Sequence, residues 1–145
     1  MRRKNIRSSG DDRVQSLSLR EAKVLDHAKR VAVVEYDFSS DGGAAGTYNL
    51  GMRLPADAVV TNIYSSELVA LTSGGSATVQ LRAGSTDLST ALAFDTGFAG
   101  DQSQALAGSA TAIRISASSE LNMVIAVAAL TAGRVKFAVE YHLSK

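Results

Sequence analysis

The chain has 145 residues, no cysteine and a formal net charge of +1. That length is one domain's worth and can bury a core without staples, while the lack of cysteine excludes disulfides, thiolate metal sites and cysteine nucleophiles, so packing alone must hold the fold. The opening MRRKNIRSSGDDR has the charges of a secretory n-region with no apolar run behind it, and no later window reaches membrane-spanning length without a charge, which predicts a protein made and kept in a cytosol-like compartment with no membrane partner.

The small net charge hides an asymmetry. Residues 1–30 carry nine Lys or Arg against four Asp or Glu, and residues 31–145 carry six against ten, a split of +5 and −4 that suggests an interaction tail on a folded body. All eight Tyr and Phe lie in the acidic part. Residues 1–16 are polar and read as an extended basic arm. In SLREAKVLDHAKR, Ser18 and Glu21 have capping-box spacing, which predicts a short helix over about 19–29 with Leu19, Ala22, Leu25 and Ala28 as a narrow stripe. So narrow a stripe suits a helix lying on another surface rather than one inside a core.

From residue 31 the period becomes two. VAVVEYDF places Ala32, Val34, Tyr36 and Phe38 on one face of a half-buried strand, and SSDGGAAG follows as a loop. TYNLGMRL offers Tyr48, Leu50 and Met52. The single proline, Pro55, fixes a turn before a long strand from about Ala58. TSGGS reads as a hairpin between that strand and SATVQLRA, whose Ala77, Val79 and Leu81 point inward. One strand is expected around Leu88–Phe94, followed by a small-residue loop. Then Ile113 and Ile115, Leu121 to Val127, and Val135, Phe137, Val139 and Tyr141 mark the last three strands.

About eight short strands with no intervening helix predict an all-β domain over 31–145, an antiparallel β-sandwich. A jelly roll and an immunoglobulin-like sandwich both fit, and the strand count favours the jelly roll. Val124, Ala126, Ala128 and Leu130 make the second face of one strand apolar as well, which marks them as a candidate subunit interface.

Sites of chemistry are absent from the pattern. His27 lies in the charged helix and His142 on the polar face of the last strand, with no nucleophile and orienting acid beside either. Two distant histidines make no zinc site. The glycine runs lack the lysine and following helix of a phosphate loop. Asp37 with Asp41, and Asp95 with Asp101, lack EF-hand spacing. The expectation is no catalytic residue, no metal, no cofactor and no enzyme. The basic cluster Arg2, Arg3, Lys4, Arg7 and Arg13 could neutralise phosphates or lie on an acidic protein surface. Its small size and lack of interleaved aromatics favour protein over nucleic acid.

LPADAVVTNIYSSELVAL, SATVQLRAGSTDL and the closing LTAGRVKFAVEYHL resemble segments of the small all-β virion proteins of tailed bacteriophages, in particular head decoration or cement proteins. There an LP turn enters a valine-rich strand, a V-x-L-x-x-G strand ends on a polar loop, and a terminal L-T-A-G hairpin leads into a valine-rich strand ending in tyrosine. The resemblance spans about residues 31–143 and leaves the arm outside it. It implies a homotrimer on the surface of an expanded icosahedral head, assembled in the host cytoplasm and clamping neighbouring major capsid subunits. The arm, with Leu19 and Leu25 of the short helix, would then contact the capsid or a neighbouring subunit. A tail, fibre or receptor-binding module is the alternative, with Phe94 and Phe98 as its loop aromatics, followed by a small jelly-roll coat subunit.

Overall fold

The computed structural model describes residues 28–144. The expected arm and helix, with Arg2, Arg3, Lys4, Arg7, Arg13, Leu19 and Leu25, lie outside the described residues. Ala28 and Lys29, the end of the expected helix, are described and are not helical; they lead directly into the first strand.

In chain order the elements are β1 (Arg30–Asp37), helical turn α1 (Phe38–Asp41), β2 (Gly46–Leu54), β3 (Ala58–Ser73), β4 (Thr78–Ala83), β5 (Thr86–Asp87), β6 (Leu92–Ala93), β7 (Asp101–Gln104), a 3-10 turn (Ala107–Ser109), β8 (Ile113–Ile115), β9 (Ser119–Ala126) and β10 (Leu130–Leu143). They form two antiparallel sheets. The first has the order β1-β10-β3-β7, with β8 also on β3, and the second β2-β9-β4-β5, with β6 also on β4. The sixteen residues of β3 take β8 at Ala58–Val60 and β7 at Ile63–Ser66, end to end.

The pairings are nested. β1 pairs with β10, β2 with β9, β3 with β8 and β7, and β4 with β6 and β5, so the chain is one long antiparallel ribbon closed at its middle. Rolling that ribbon brings β10 against β3 and β9 against β4, which completes the two sheets. This is jelly-roll connectivity, and it decides between the two sandwiches that the sequence leaves open.

Between the sheets lie the inward faces of both. Tyr36, Phe98 and Phe137 are the largest fully buried side chains, surrounded by Leu54, Ile63, Leu81, Leu121, Met123 and Ile125. Each such side chain contributes roughly 1.5–3 kcal/mol by leaving water. Phe98 meets Phe137 edge to face, centroids 6.1 Å apart at 85°, a geometry set by the ring quadrupoles.

Several sequence expectations change. Phe38 leaves the strand because Asp37 caps the next turn, accepting from Ser39 N at 3.0 Å and from Ser39 Oγ at 2.7 Å; those bonds hold the Asp37 carboxyl below its usual range. Met52 is 40% exposed because the β2–β9 pairing is interrupted between Asn49 and Arg53, where β2 advances four residues against two on β9; the inward series Tyr48, Leu50 resumes at Leu54. TSGGS and the L-T-A-G stretch are not hairpins: β3 and β4 lie in different sheets, as do β9 and β10, so both connections cross the sandwich. The region around Leu88–Phe94 gives only the two short strands β5 and β6, and β7 lies in what reads as a loop. Gly133, at φ 130, packs where a Cβ would collide with Leu71, which lets β10 pass tightly against the bulged end of β3.

Candidate interaction surface

Leu130 needs correction as a surface residue. It is 2% exposed, part of the core, because the strand expected to run through it stops at Ala126. Val127 has φ 72, and Ala128 N donates to Ala126 O at 2.8 Å, a three-residue γ-turn that redirects the chain. Val124 and Ala126 stay on the outer face of the second sheet, both half-buried. Val124 is flanked by Thr47 on β2 and Gln80 on β4, and Ala126 lies beside Thr78. Ala128, half-buried, lies past the turn. The rest of this face is polar, with Asn49, Asn122, Arg82 and Asp87 in one cross-strand row.

The exposed large apolar side chains concentrate on the other sheet. Val31, Val33, Tyr64, Leu68 and Val69 are each 41–52% exposed, and all belong to β1 or β3. Register explains why they meet. Val33 lies opposite Ala138, Ala138 opposite Tyr64, and Tyr64 opposite Ser103, an apolar row across the first sheet. On one side is the row Val31, Glu140, Asn62, where Glu140 accepts from Asn62 Nδ2 at 3.0 Å and pairs with Lys29 Nζ at 3.6 Å. On the other side comes Glu35, Lys136, Ser66, Asp101, and beyond it Asp37, Arg134, Val69. Arg134 Nε pairs with Glu35 Oε1 at 2.9 Å.

This far end of the sheet is acidic. Against Arg134 and Lys136 it holds Glu35, Asp37, Asp41, Glu67 and Asp101. Four of those five spend their carboxylates on local donors: Asp37 on Ser39, Asp41 on Asp37 N, Glu67 on Leu71 N at 3.0 Å, and Asp101 on Ser66 Oγ at 2.6 Å. Beside it an open cleft of about 330 Å³ is lined by Phe38, Val69, Ala132 and Gly133 with Asp37, Ser39 and Arg134. A second, about 370 Å³, lies between Gly75–Thr78 and Ala93–Asp95.

Among the described residues there is no group of three or more His, Asp or Glu placed to hold a metal ion, and no helix long and apolar enough to cross a membrane. Of the two loop aromatics, Phe98 is buried in the core and Phe94 is half-buried against it, its N–H bonded to Ala77 O at 3.1 Å. Sequence reasoning missed the Val31–Val33–Tyr64 surface, since Val31 and Val33 lie in the apolar run Val31–Val34 of β1 and Tyr64 sits between Asn62 and Ser66 on the face of β3. Only the register brings them into one patch.

No protein-family model matches the chain, and no curated protein matches it in sequence. Its fold does match chains of solved phage capsids. In the acid-stable capsid of Helicobacter pylori bacteriophage KHP30, the TM-score is 0.57 at 16% identity over 82% of this chain and 91% of that one. In the capsid asymmetric unit of cyanophage Pam1 the TM-score is 0.58 at 18% identity, over 81% and 86% of the two chains. In the capsid of Ralstonia phage GP4 it is 0.59 at 15% identity, over 81% and 86%. At these identities the likeness establishes a fold shared with chains of these phage capsid structures, and the fold alone.

Proposed function

We propose that this chain is a structural protein of a bacteriophage virion, a cement protein that decorates the mature icosahedral head and strengthens contacts between major capsid subunits. The observation that carries the reading is the whole-domain fold match to chains of three phage capsids, joined to a basic segment of residues 1–30 in front of an acidic body. A clip that binds the expanded lattice and no other state stabilises that lattice by mass action. An arm that orders on binding can cover a long path over neighbouring subunits. In this reading Arg2, Arg3, Lys4, Arg7 and Arg13 lie on acidic capsid surface.

The body is proposed to act as a homotrimer, with Val124 and Ala126 on the outer face of the second sheet as the subunit contact. Their small side chains sit in mid-sheet, where a partner can approach closely. The virion surface is the proposed location.

The test is co-sedimentation of the purified protein with expanded and unexpanded heads, together with antibody labelling of whole particles. Binding to expanded heads alone, with label over the head, supports cement. Label at the tail overturns it in favour of a tail or fibre module, and closed shells formed by the protein alone overturn it in favour of a coat subunit. Removal of residues 1–16 is expected to reduce occupancy; unchanged occupancy removes the arm from the binding surface.

A further inference from the structure

We propose that β1 is a docking edge for a second copy of this chain: the two β1 strands pair antiparallel across a two-fold axis at Val33 and join the first sheets of both copies into one. This goes beyond the shell reading and does not depend on it.

The edges of the fold are the first support. An open strand edge presents unpaired N–H and C=O groups to another strand, and natural sheets blunt such edges by shortness, bulges, proline or lysine. Most free edges here are blunted. β5 and β6 have two residues, β8 three and β7 four. The pairing of β2 with β9 is interrupted between Asn49 and Arg53, and β3 beyond Ser66 is bulged against β10, with Leu71 N donating to Glu67 Oε2 at 3.0 Å. β1 differs on each count. Its eight residues, RVAVVEYD, pair with β10 in unbroken register and hold no proline, glycine or lysine, and β10 is its only strand neighbour among the described residues. The chain leaves β1 toward β10, since Leu130 N donates to Gly43 O at 2.8 Å and Phe38 lines the cleft with Ala132 and Gly133. The turn after β1 therefore does not cross the open edge.

Charge is the second. Lys29 and Arg30 stand at the start of β1, Glu35 and Asp37 at its end, and Asp41 just beyond. A strand so polarised repels a parallel copy of itself and attracts an antiparallel one, because each basic end then lies on the other's acidic end. With Val33 on the axis, Lys29 of each copy is opposite Asp37 of the other. Lys29 is 62% exposed even with Glu140 at 3.6 Å, so its ammonium can take a second carboxylate.

Packing is the third. Directly opposite residues of antiparallel strands share a face. The same register sets Ala32 against Val34 on the inner face, where both are buried, and Val33 against Val33 on the outer face. The row Tyr64, Ala138, Val33 then continues through Val33, Ala138 and Tyr64 of the second copy, so two exposed patches become one apolar band across six strands. Val31 meets Glu35, whose carboxylate Arg134 holds at 2.9 Å. Moving the axis to Ala32 sets Arg30 against buried Val34, and moving it to Val34 sets Val33 against Glu35 and Val31 against Asp37. An edge contact of this length is small, which places the dimer among weak, concentration-dependent associations.

The chain has no cysteine, so single thiols report without background. Val33→Cys and Val31→Cys, both at half-exposed positions, would be oxidised at high protein concentration and read on a denaturing gel, where a subunit contact through Val124 leaves no trace. At Val33 the thiols stand on directly opposite residues, about 4.5–5.5 Å between Cα atoms, within disulfide reach. At Val31 they are offset by four residues along the strand, about 13 Å at about 3.3 Å each. The expected result is a covalent dimer for Val33→Cys, none for Val31→Cys, and a mixed dimer when Val31→Cys chains are combined with Glu35→Cys chains. No dimer from Val33→Cys overturns the proposal, and so do equal yields from Val31→Cys and Val33→Cys, which report random collision. Hydrogen exchange tests the unsubstituted chain: protection of β1 amides is expected to rise with protein concentration, and Val33→Lys, which sets two ammonium groups face to face at the axis, to remove that rise. Protection independent of concentration overturns the two-fold pairing.

Discussion

Tyr36 stands edge-on to Tyr48, ring centroids 5.8 Å apart at 70°, and joins the first strand of one sheet to the first strand of the other. Both hydroxyls bond to the short connection between those strands, Tyr36 to the Gly42 carbonyl and Tyr48 to the Ala44 carbonyl. The first corner of the sandwich is therefore closed by two rings and two side-chain hydrogen bonds. Tyr36→Phe keeps the ring and removes one bond, and is expected to lower stability by about 1 kcal/mol; Tyr36→Ala empties a buried site and is expected to cost about 3–5 kcal/mol. Chemical denaturation of both variants checks the order.

The same phenol gives a pH signature. Burial, then the nearby Tyr48, Asp41 and Asp37, push its pKa from 10.0 up to about 12. Between those values the folded chain keeps a proton that the unfolded chain has lost, so stability falls as pH rises. The contribution is complete below pH 10 and is lost through about pH 12. Subtracting the stability curve of Tyr36→Phe from that of the unsubstituted chain isolates it. A flat difference across that window would contradict the assignment.

Val127 is a β-branched residue at φ 72 and is 77% exposed. Such a conformation costs on the order of 1–3 kcal/mol. Val127→Gly, which carries no Cβ to strain at positive φ and forfeits little burial, is expected to raise stability by about 1 kcal/mol. A higher melting temperature is the readout, and an unchanged or lower one rejects the strain.

Gln104, buried at the end of β7, donates from Nε2 to Ser65 Oγ at 2.7 Å and to Gly97 O at 3.0 Å. It ties the loop that carries Phe98 to the middle of β3. Gln104→Ala leaves two buried acceptors without their donor and is expected to cost about 1–3 kcal/mol. Proteolysis within residues 94–100, at conditions that spare the unsubstituted protein, is the local readout.

Val124→Glu places a charge in the middle of the second sheet's outer face. The proposed trimer is expected to dissociate to folded monomers, measured by light scattering with an unchanged circular dichroism spectrum. A trimer that survives the substitution moves the subunit contact elsewhere.

Strand identity was legible wherever one face is buried and the other wet. The alternations of Ala32, Val34 and Tyr36, of Val79 and Leu81, of Leu121, Met123 and Ile125, and of Val135, Phe137 and Val139 all appear as inward faces. Partner choice was not legible. Adjacent strands usually pair, so glycine runs between them read as hairpins, whereas here the pairs are nested and the glycines turn corners between sheets. Local irregularities are equally silent in sequence: the interrupted β2–β9 pairing exposes Met52, and the turn at Val127 sends Leu130 into the core. The apolar patch on the first sheet depends on the partners of β3, lying far from it in sequence, and no local pattern encodes it.

Nesting also orders events in time. Arg30 finds Tyr141, and Val34 finds Phe137, so β1 has no strand to pair with until β10 has left the ribosome. Such long-range pairing folds slowly, and β1, with its exposed Val31 and Val33, must wait as an open strand in the meantime. The basic residues that precede it are synthesised earlier still, and their repulsion from like copies would keep nascent chains apart until the ribbon closes.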